Sequence, residues 1–184
     1  MNEAGDLRAF LDHGWQRLSR GVADRRAGAR HPVLATVSPE GWPEARTVVL
    51  RAANRAEGWA EVHTDPSSAK LAAVRHNPRA QLHVWDPKVD LQIRLYVQVH
   101  VLTGDAVADR WARVPEGSRQ AYGKSPAVGA PIAAPFEYTV LGRPEDFAVL
   151  VCAIARIDLL ELGTQHRRAV FEAANGWSGQ WLSP

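Results

Sequence analysis

Three short stretches of this chain carry residue types that can handle an anion. The first is Arg46-Thr47-Val48-Val49-Leu50-Arg51. Read as one strand, its alternation sends Arg46, Val48 and Leu50 to one face and Thr47, Val49 and Arg51 to the other. Two guanidiniums, each a planar fork suited to phosphate or carboxylate, then leave opposite faces of an apolar strand; two solvated strand-end charges look the same by spacing. The second stretch is His63-Thr64-Asp65-Pro66-Ser67-Ser68-Ala69-Lys70. A strand ends there and a helix begins, so hydroxyls and backbone N–H groups gather at a helix N-terminus with Lys70 in the first turn. Donors, dipole and cation together make a phosphate cradle, although a serine at that position also serves as an ordinary cap. The third is Gln92, whose strand-borne amide donates and accepts at once.

The elements that must position these residues follow from period and punctuation. Leu7, Phe10, Leu11 and Leu18 recur at helical spacing, which predicts an amphipathic helix over residues 1–20. The period then changes. Strands are predicted over 32–38, 46–51, 59–64, 80–85, 91–102 and 147–162, the last continuing with alternation over 167–173, and 177–182 closes the final turn, about seven strands in all, mostly in hairpins. The most regular is 91–102, where Leu91, Ile93, Leu95, Val97, Val99 and Val101 alternate with polar or longer residues. A short helix runs from the Ser67-Ser68 start signal to the Asn77-Pro78 stop. Residues 105–113 and 117–122 read as helical, and Asn175-Gly176 as a tight hairpin turn. Residues 123–146, rich in Pro, Ala and Gly, read as an ordered loop and the expected lid or wall of a substrate site. The whole reads as one domain, 1–184, mainly β with flanking helices, and a closed or nearly closed barrel would hide its strand edges.

Composition narrows the function classes. The chain has 184 residues, 46% hydrophobic and 23% charged, with a formal net charge of only +2, which argues against a dedicated nucleic-acid binder. Its lysines are Lys70, Lys88 and Lys124; the other cations are arginines, which favours a few guanidiniums facing one anion over a long basic stripe. Cys152 stands alone within the apolar run 149–154, so it reads as a buried core residue without disulfide or metal role. The seven histidines show no His-Glu-x-x-His spacing. Ser118, Ser125 and His166 lack a Gly-x-Ser-x-Gly elbow, which argues against a hydrolase. Asp6, Arg8 and Asp12 interrupt any leader-like apolar stretch, and no apolar run nears the ~20 residues of a membrane span. The expected address is the cytoplasm.

In order and spacing, Arg46-x-Val48-x-Leu50-Arg51, His63-Thr64-Asp65, Ser68-x-Lys70, Asn77-Pro78-Arg79 and Gln92 before its alternating strand resemble the pyridoxamine 5′-phosphate oxidase family. The likeness covers residues 31–102 and resumes over 147–184, where Trp177-x-x-x-Trp181-Leu182-Ser183-Pro184 is similar to the family's terminal Trp-x-x-x-Arg-Leu-x-Pro. The resemblance implies a flavin mononucleotide (FMN)-binding split β-barrel working as a homodimer, with FMN at the subunit interface. It implies that the stretch from Arg46 to Arg51, Thr47 included, lies along the FMN, with Arg46 on the phosphate and the backbone of Val48 and Val49 near the ring. His63 stands where the family usually has tyrosine, and Thr64 matches its threonine neighbour. Ser68 and Lys70 match phosphate-contacting positions. Gln92 would come from the other subunit, Arg167 matches a flavin-contacting arginine, and Arg51 matches a lysine that faces substrate phosphate.

The departures bear on activity. Ala69 stands where an arginine is expected between Ser68 and Lys70. The family's Arg-Leu-His-Asp-Arg substrate motif reads Gly163-Thr164-Gln165-His166-Arg167 here, so the groups that grip vitamin B6 phosphate are missing and His166 is displaced by one residue, to the opposite strand face. No tryptophan lies just upstream, and Trp181 replaces the terminal arginine. The expectation is an FMN-dependent oxidoreductase acting on a small molecule or a reduced nicotinamide, with Arg51 orienting an anionic substrate and no other catalytic residue named. The rival expectation is a non-enzymatic flavin or haem carrier or sensor on the same barrel. Genuine pyridoxamine 5′-phosphate oxidation ranks behind both.

Overall fold

The structure, a computed structural model, describes residues 6–184. Helix α1 (Leu7–Ala23) starts at Asp6, whose carboxylate accepts from the backbone N–H groups of Arg8 at 2.8 Å and Ala9 at 3.2 Å. The first five residues of the expected 1–20 helix lie outside the described residues. Of the predicted apolar stripe, Phe10, Leu11 and Leu18 are buried and Leu7 is half-buried; Trp15 is buried beside them. Gly21 lets the helix close on the chain that follows, since a Cβ there would sit 2.6 Å from the Ala29 backbone.

The strands are β1 (Val33–Val37), β2 (Pro43–Thr47), β3 (Leu50–Asn54), β4 (Trp59–Thr64), β5 (Arg79–Asp86), β6 (Leu91–Leu102), β7 (Lys124–Ser125), β8 (Thr139–Val140), β9 (Ala148–Glu161), β10 (Arg167–Glu172) and β11 (Ser178–Leu182). Helix α2 (Ala69–His76) links β4 to β5; α3 (Ala108–Ala112) and α4 (Glu116–Arg119) follow β6. All pairing is antiparallel, in the order β11-β10-β9-β6-β5-β1-β2, with β3 on β4 and β4 on β9. β9 organises the sheet. It pairs with β6 along nearly its whole length, while β4 takes the Ala148–Ala153 stretch of its other edge and β10 the Arg156–Glu161 stretch. A bulge at Ala155 on β9, opposite Tyr96/Val97 of β6, lies level with the change of partner. The ring β2-β1-β5-β6-β9-β4-β3 closes covalently, because β2 runs into β3 through Val48 and Val49.

That closure corrects the reading of residues 46–51 as one strand. β2 must pair with β1 and β3 with β4, so the chain turns a corner at Val48-Val49 to change partners. Val48 N–H there donates to Pro32 O at 2.9 Å, and β3 opens with an irregularity between Leu50 and Ala52. The stretch is therefore not one strand, yet Val48 and Leu50 still face the core, and Arg46 and Arg51 still leave on opposite sides, toward Lys70 and toward the cleft beyond β3 and β4. The main sheet has nine strands, not about seven, and β7 and β8 form a separate two-stranded ribbon within the expected loop. The tight Asn175-Gly176 hairpin is instead a five-residue connection between Glu172 and Ser178, a 3-10 turn over Ala173–Asn175 with Gly176 and Trp177 at positive φ.

The main core fills the barrel and the α1 side, with Leu34, Leu50, Val62, Leu82, Ile93, Leu95, Leu150 and Leu159 fully or almost fully buried. A second core joins Val107, Trp111, Val114, Tyr122, Phe147 and Val149 under α3 and α4. Cys152 is buried as expected, and burial pushes its thiol up to about 12. No helix among the described residues is long and apolar enough to cross a membrane.

Candidate functional site

The end of β4 separates two sites, because successive strand residues face opposite ways. Thr64 turns inward toward the start of α2, and His63 turns outward into a cleft.

On the inward side the cradle forms. Thr64 and Ser68 are buried, with their hydroxyl oxygens 3.0 Å apart, and Lys70 Nζ donates to Thr64 Oγ1 at 3.0 Å. Ser68 is the N-cap residue of α2, yet its hydroxyl faces Thr64 and does not cap the helix. Burial, the nearby Arg46 charge and only partial relief from Asp65 hold the Lys70 ammonium below its usual value. Two cations thus share a half-buried spot with two hydroxyls, an arrangement completed by an anion. Arg46 reaches it from β2, donating to Thr36 Oγ1 at 2.6 Å and Leu34 O at 3.3 Å and pairing with Glu44 at 2.5 Å; a phosphate would share or displace Glu44. Asp65 braces the cradle. Its Oδ1 accepts from Ser67 N at 2.8 Å and its Oδ2 from Gly123 N at 2.7 Å. Thr47 is exposed, Val48 buried and Val49 half-buried at the corner beside it.

The cleft, about 480 Å³, lies on the outward side of β3 and β4 and is lined by Arg51, Trp59, Glu61, His63, Arg110 and Arg113 among others. His63 Nε2 lies 2.8 Å from Glu61 Oε1, and Arg110 Nε donates to Glu61 Oε2 at 2.9 Å. Burial opposes ionisation of Glu61, but the bonds from His63 and Arg110 outweigh it and hold the carboxyl below its usual value. The His63 ring stands edge-on to Phe147, 4.9 Å between centroids. Arg51 Nε is buried without a partner, and the guanidinium lies close enough to the Tyr122 phenol to offset part of the rise that burial imposes on it. The lining of this cleft does not include residues 123–146, the expected lid or wall; α3 and the turn after it supply that side. Local spacing gives no hint of Arg110, which comes from α3, or of Arg113. Glu61 was legible as the same-face neighbour of His63 on β4, and was missed.

Gln92 and Arg167 fall elsewhere. Gln92 Oε1 lies 3.2 Å from His83 Nε2, and Arg167 pairs with Glu161 at 2.9 Å while its guanidinium sits 4.5 Å over the Phe10 ring. Both flank the far end of β9, where Gln92 pairs with Leu160 and Arg167 with Glu161, whereas Thr64 pairs with Ala148. Roughly 40 Å of extended strand, at ~3.3 Å per residue, separates the two groups along one chain.

Residues 12–103 match the family described as pyridoxamine 5′-phosphate oxidase, FMN-binding domain. A pyridoxine/pyridoxamine 5′-phosphate oxidase of Mycolicibacterium paratuberculosis is 33% identical over 115 residues, 60% of this chain and 51% of that protein; the chain spans about half the length of that relative. A pyridoxamine 5′-phosphate oxidase-related, FMN-binding protein of Nostoc punctiforme superposes over 98% of both chains with a TM-score of 0.76 at 25% identity. PhzG of Burkholderia lata, solved with tetrahydrophenazine-1-carboxylic acid, shares the fold with a TM-score of 0.75 at 18% identity, over 100% of this chain and 97% of that one.

Proposed function

We propose that this chain, which belongs to the pyridoxamine 5′-phosphate oxidase FMN-binding domain family, binds FMN between two copies of itself and acts as an FMN-dependent oxidoreductase on a small anionic molecule. The observation that carries the reading is the cradle: Lys70, desolvated beside Arg46, and the buried hydroxyls of Thr64 and Ser68. These are the groups a phosphate monoester needs. In this reading they hold the FMN phosphate, and the Thr47-Val48-Val49 corner borders the ring. Bound there, FMN supplies the redox chemistry by accepting a hydride from the substrate and passing the electrons on. The chain's part is to bind, orient and exclude water. Arg51, with no partner of its own at Nε, anchors the substrate anion in the cleft, and His63 and Trp59 wall it.

The position of Gln92 and Arg167 favours a dimeric site. Neither reaches the cradle of its own chain, so both serve the FMN of a second copy. A non-enzymatic flavin carrier is the second reading, supported by Gly163 and Gln165 where the family grips vitamin B6 phosphate.

The test is direct. Purified protein should take up FMN with micromolar or better affinity and sediment as a dimer, and a tight-binding anionic substrate or NADPH should bleach the flavin anaerobically. Absence of FMN binding refutes both readings; a flavin that no donor reduces selects the carrier. Mixing Lys70→Ala and Gln92→Ala subunits should restore one good site per mixed dimer. Failure of that rescue would place Gln92 outside the FMN site.

A further inference from the structure

The cleft holds a carboxylate–imidazole–guanidinium array on its β4 wall. Glu61 and His63 alternate onto the outward face of β4, and both are almost fully buried. Glu61 spends one oxygen on His63 Nε2 and the other on Arg110 Nε. A carboxylate fixed from both sides in this way sets the orientation of an imidazole and engages one ring nitrogen, which leaves the other nitrogen to exchange a proton. The charged residues lining the cleft with His63 are Glu61 on its own strand, Arg51 on β3, Arg30 on the 3-10 turn before β1, and Asp109, Arg110 and Arg113 on and after α3; the Tyr122 phenol lies behind them, beside Arg51. Arg30 is committed to the Val22 and Leu50 carbonyls, Arg110 to Glu61, and Arg113 Nε to Asp109 O. Arg51 keeps a buried Nε without a partner. His63 is the one imidazole among the lining residues.

We propose that His63 is the proton-exchanging residue of this cleft, so that an anion docked on Arg51 and a proton on His63 are taken up together. The inference rests on the anionic-substrate reading of the cleft given above. A ligand anion beside the ring favours the imidazolium; a ligand that releases a proton as it is oxidised finds its acceptor there. If the triad only braced β4 against α3, anion affinity would not depend on the state of His63.

Sulfate is the probe, because its charge is constant across the histidine range. Isothermal titration calorimetry of the FMN-saturated protein, whose phosphate cradle is then filled, in two buffers of different ionisation heat, reads affinity and proton uptake at the cleft together. We expect sulfate to bind about tenfold more weakly at pH ~8 than at pH ~5.5, the effect of roughly one pKa unit of coupling, with net proton uptake on binding. His63→Gln and His63→Asn should flatten the profile and abolish the uptake, with folding checked by circular dichroism. Arg51→Met should lose sulfate at every pH. Histidine NMR of the unmutated protein reads the same proton directly if both variants unfold. Sulfate binding without pH dependence or proton uptake overturns the role of His63 alone, as does a slope that survives in a folded His63 variant. No sulfate binding at any pH refutes the anion reading beneath it.

Discussion

Lys70→Met separates what the cradle does for a ligand from what it does for the fold. Lys70 donates to Thr64 Oγ1 at 3.0 Å, yet burial and Arg46 hold its ammonium below the usual value. The fold therefore disfavours its charge. Removing it deletes one hydrogen bond worth ~1 kcal/mol and relieves a desolvated cation, so the two effects nearly cancel in the protein without FMN. Its melting temperature should move by less than the ~2–4 °C that ~1 kcal/mol brings to a chain of this size. With FMN the balance tips, because Lys70 then supplies a charge-assisted bond to phosphate worth about 1.5–3 kcal/mol. At ~1.4 kcal/mol per decade, the dissociation constant should rise roughly 10- to 150-fold, and the FMN-induced gain in melting temperature should shrink with it. The pH dependence has a fixed sign. An arriving phosphate raises the depressed lysine, so binding takes up a proton, and affinity falls as pH rises through the depressed value toward the usual one. Lys70→Met loses that slope. Fluorescence titration of FMN and thermal unfolding, each with and without FMN, are the assays. A variant that binds FMN within threefold of the parent, or that melts far lower without FMN while keeping its affinity, would show that Lys70 is a structural group and that the phosphate lies elsewhere.

Three further perturbations probe the frame. Gly123→Ala puts a Cβ 2.4 Å from Asp146 Oδ2 at a residue with φ of +65° and disturbs the N–H that serves Asp65; it should cost about 1–3 kcal/mol and speed proteolytic nicking within 124–145, and unchanged stability with unchanged nicking would discount this anchor. Asp158 is fully buried between Arg94 at 2.7 Å and Arg168 at 2.9 Å, so Asp158→Asn should lower stability by about 3 kcal/mol in urea unfolding, the lower end for a broken buried pair because both arginines still reach water; a loss under ~1 kcal/mol would mean the arginines re-pair at no cost. Glu61, depressed in the fold, contributes stability that is present above its unfolded value of ~4.3 and is lost as pH falls through the depressed one; Glu61→Gln should therefore destabilise the protein at neutral pH and flatten acid unfolding below pH ~4.3, and an acid limb of unchanged steepness would contradict the balance of forces on that carboxyl.

Much of the frame was legible because local signals and long-range needs agreed. β4 and β6 have the predicted bounds, since strict alternation leaves no other way to bury Leu91, Ile93 and Leu95. Helix α2 lies between its Ser68 start and Asn77 stop. The cradle residues Thr64, Ser68 and Lys70 lie within seven positions of one another, so spacing alone brings them together. What spacing does not carry is a change of partner. The apolar run around Val48 and Val49 has the propensity of one strand, but barrel closure demands a corner there, and that demand comes from β1 and β4. The cleft escaped notice for the same reason. Arg110 joins Glu61 across 49 positions, and no local period reports such a contact. Gln92 and Arg167 illustrate the opposite case: motif order named them, while the geometry of one chain sets them apart from the cradle.

The dependence of the sheet on β9 also sets a timetable for synthesis. β4 ends at Thr64, but the strand it leans on begins at Ala148. β4 is therefore incomplete while a ribosome adds some eighty further residues, and β6 while it adds some forty-five, several seconds or more for β4 at ~5–20 residues per second. Until β9 emerges, the barrel has an open seam, and the neighbouring strand edges are available to other nascent chains. On the proposed reading FMN is a ligand of the closed, paired barrel, so cofactor supply should govern how long the protein persists once made more than whether it folds.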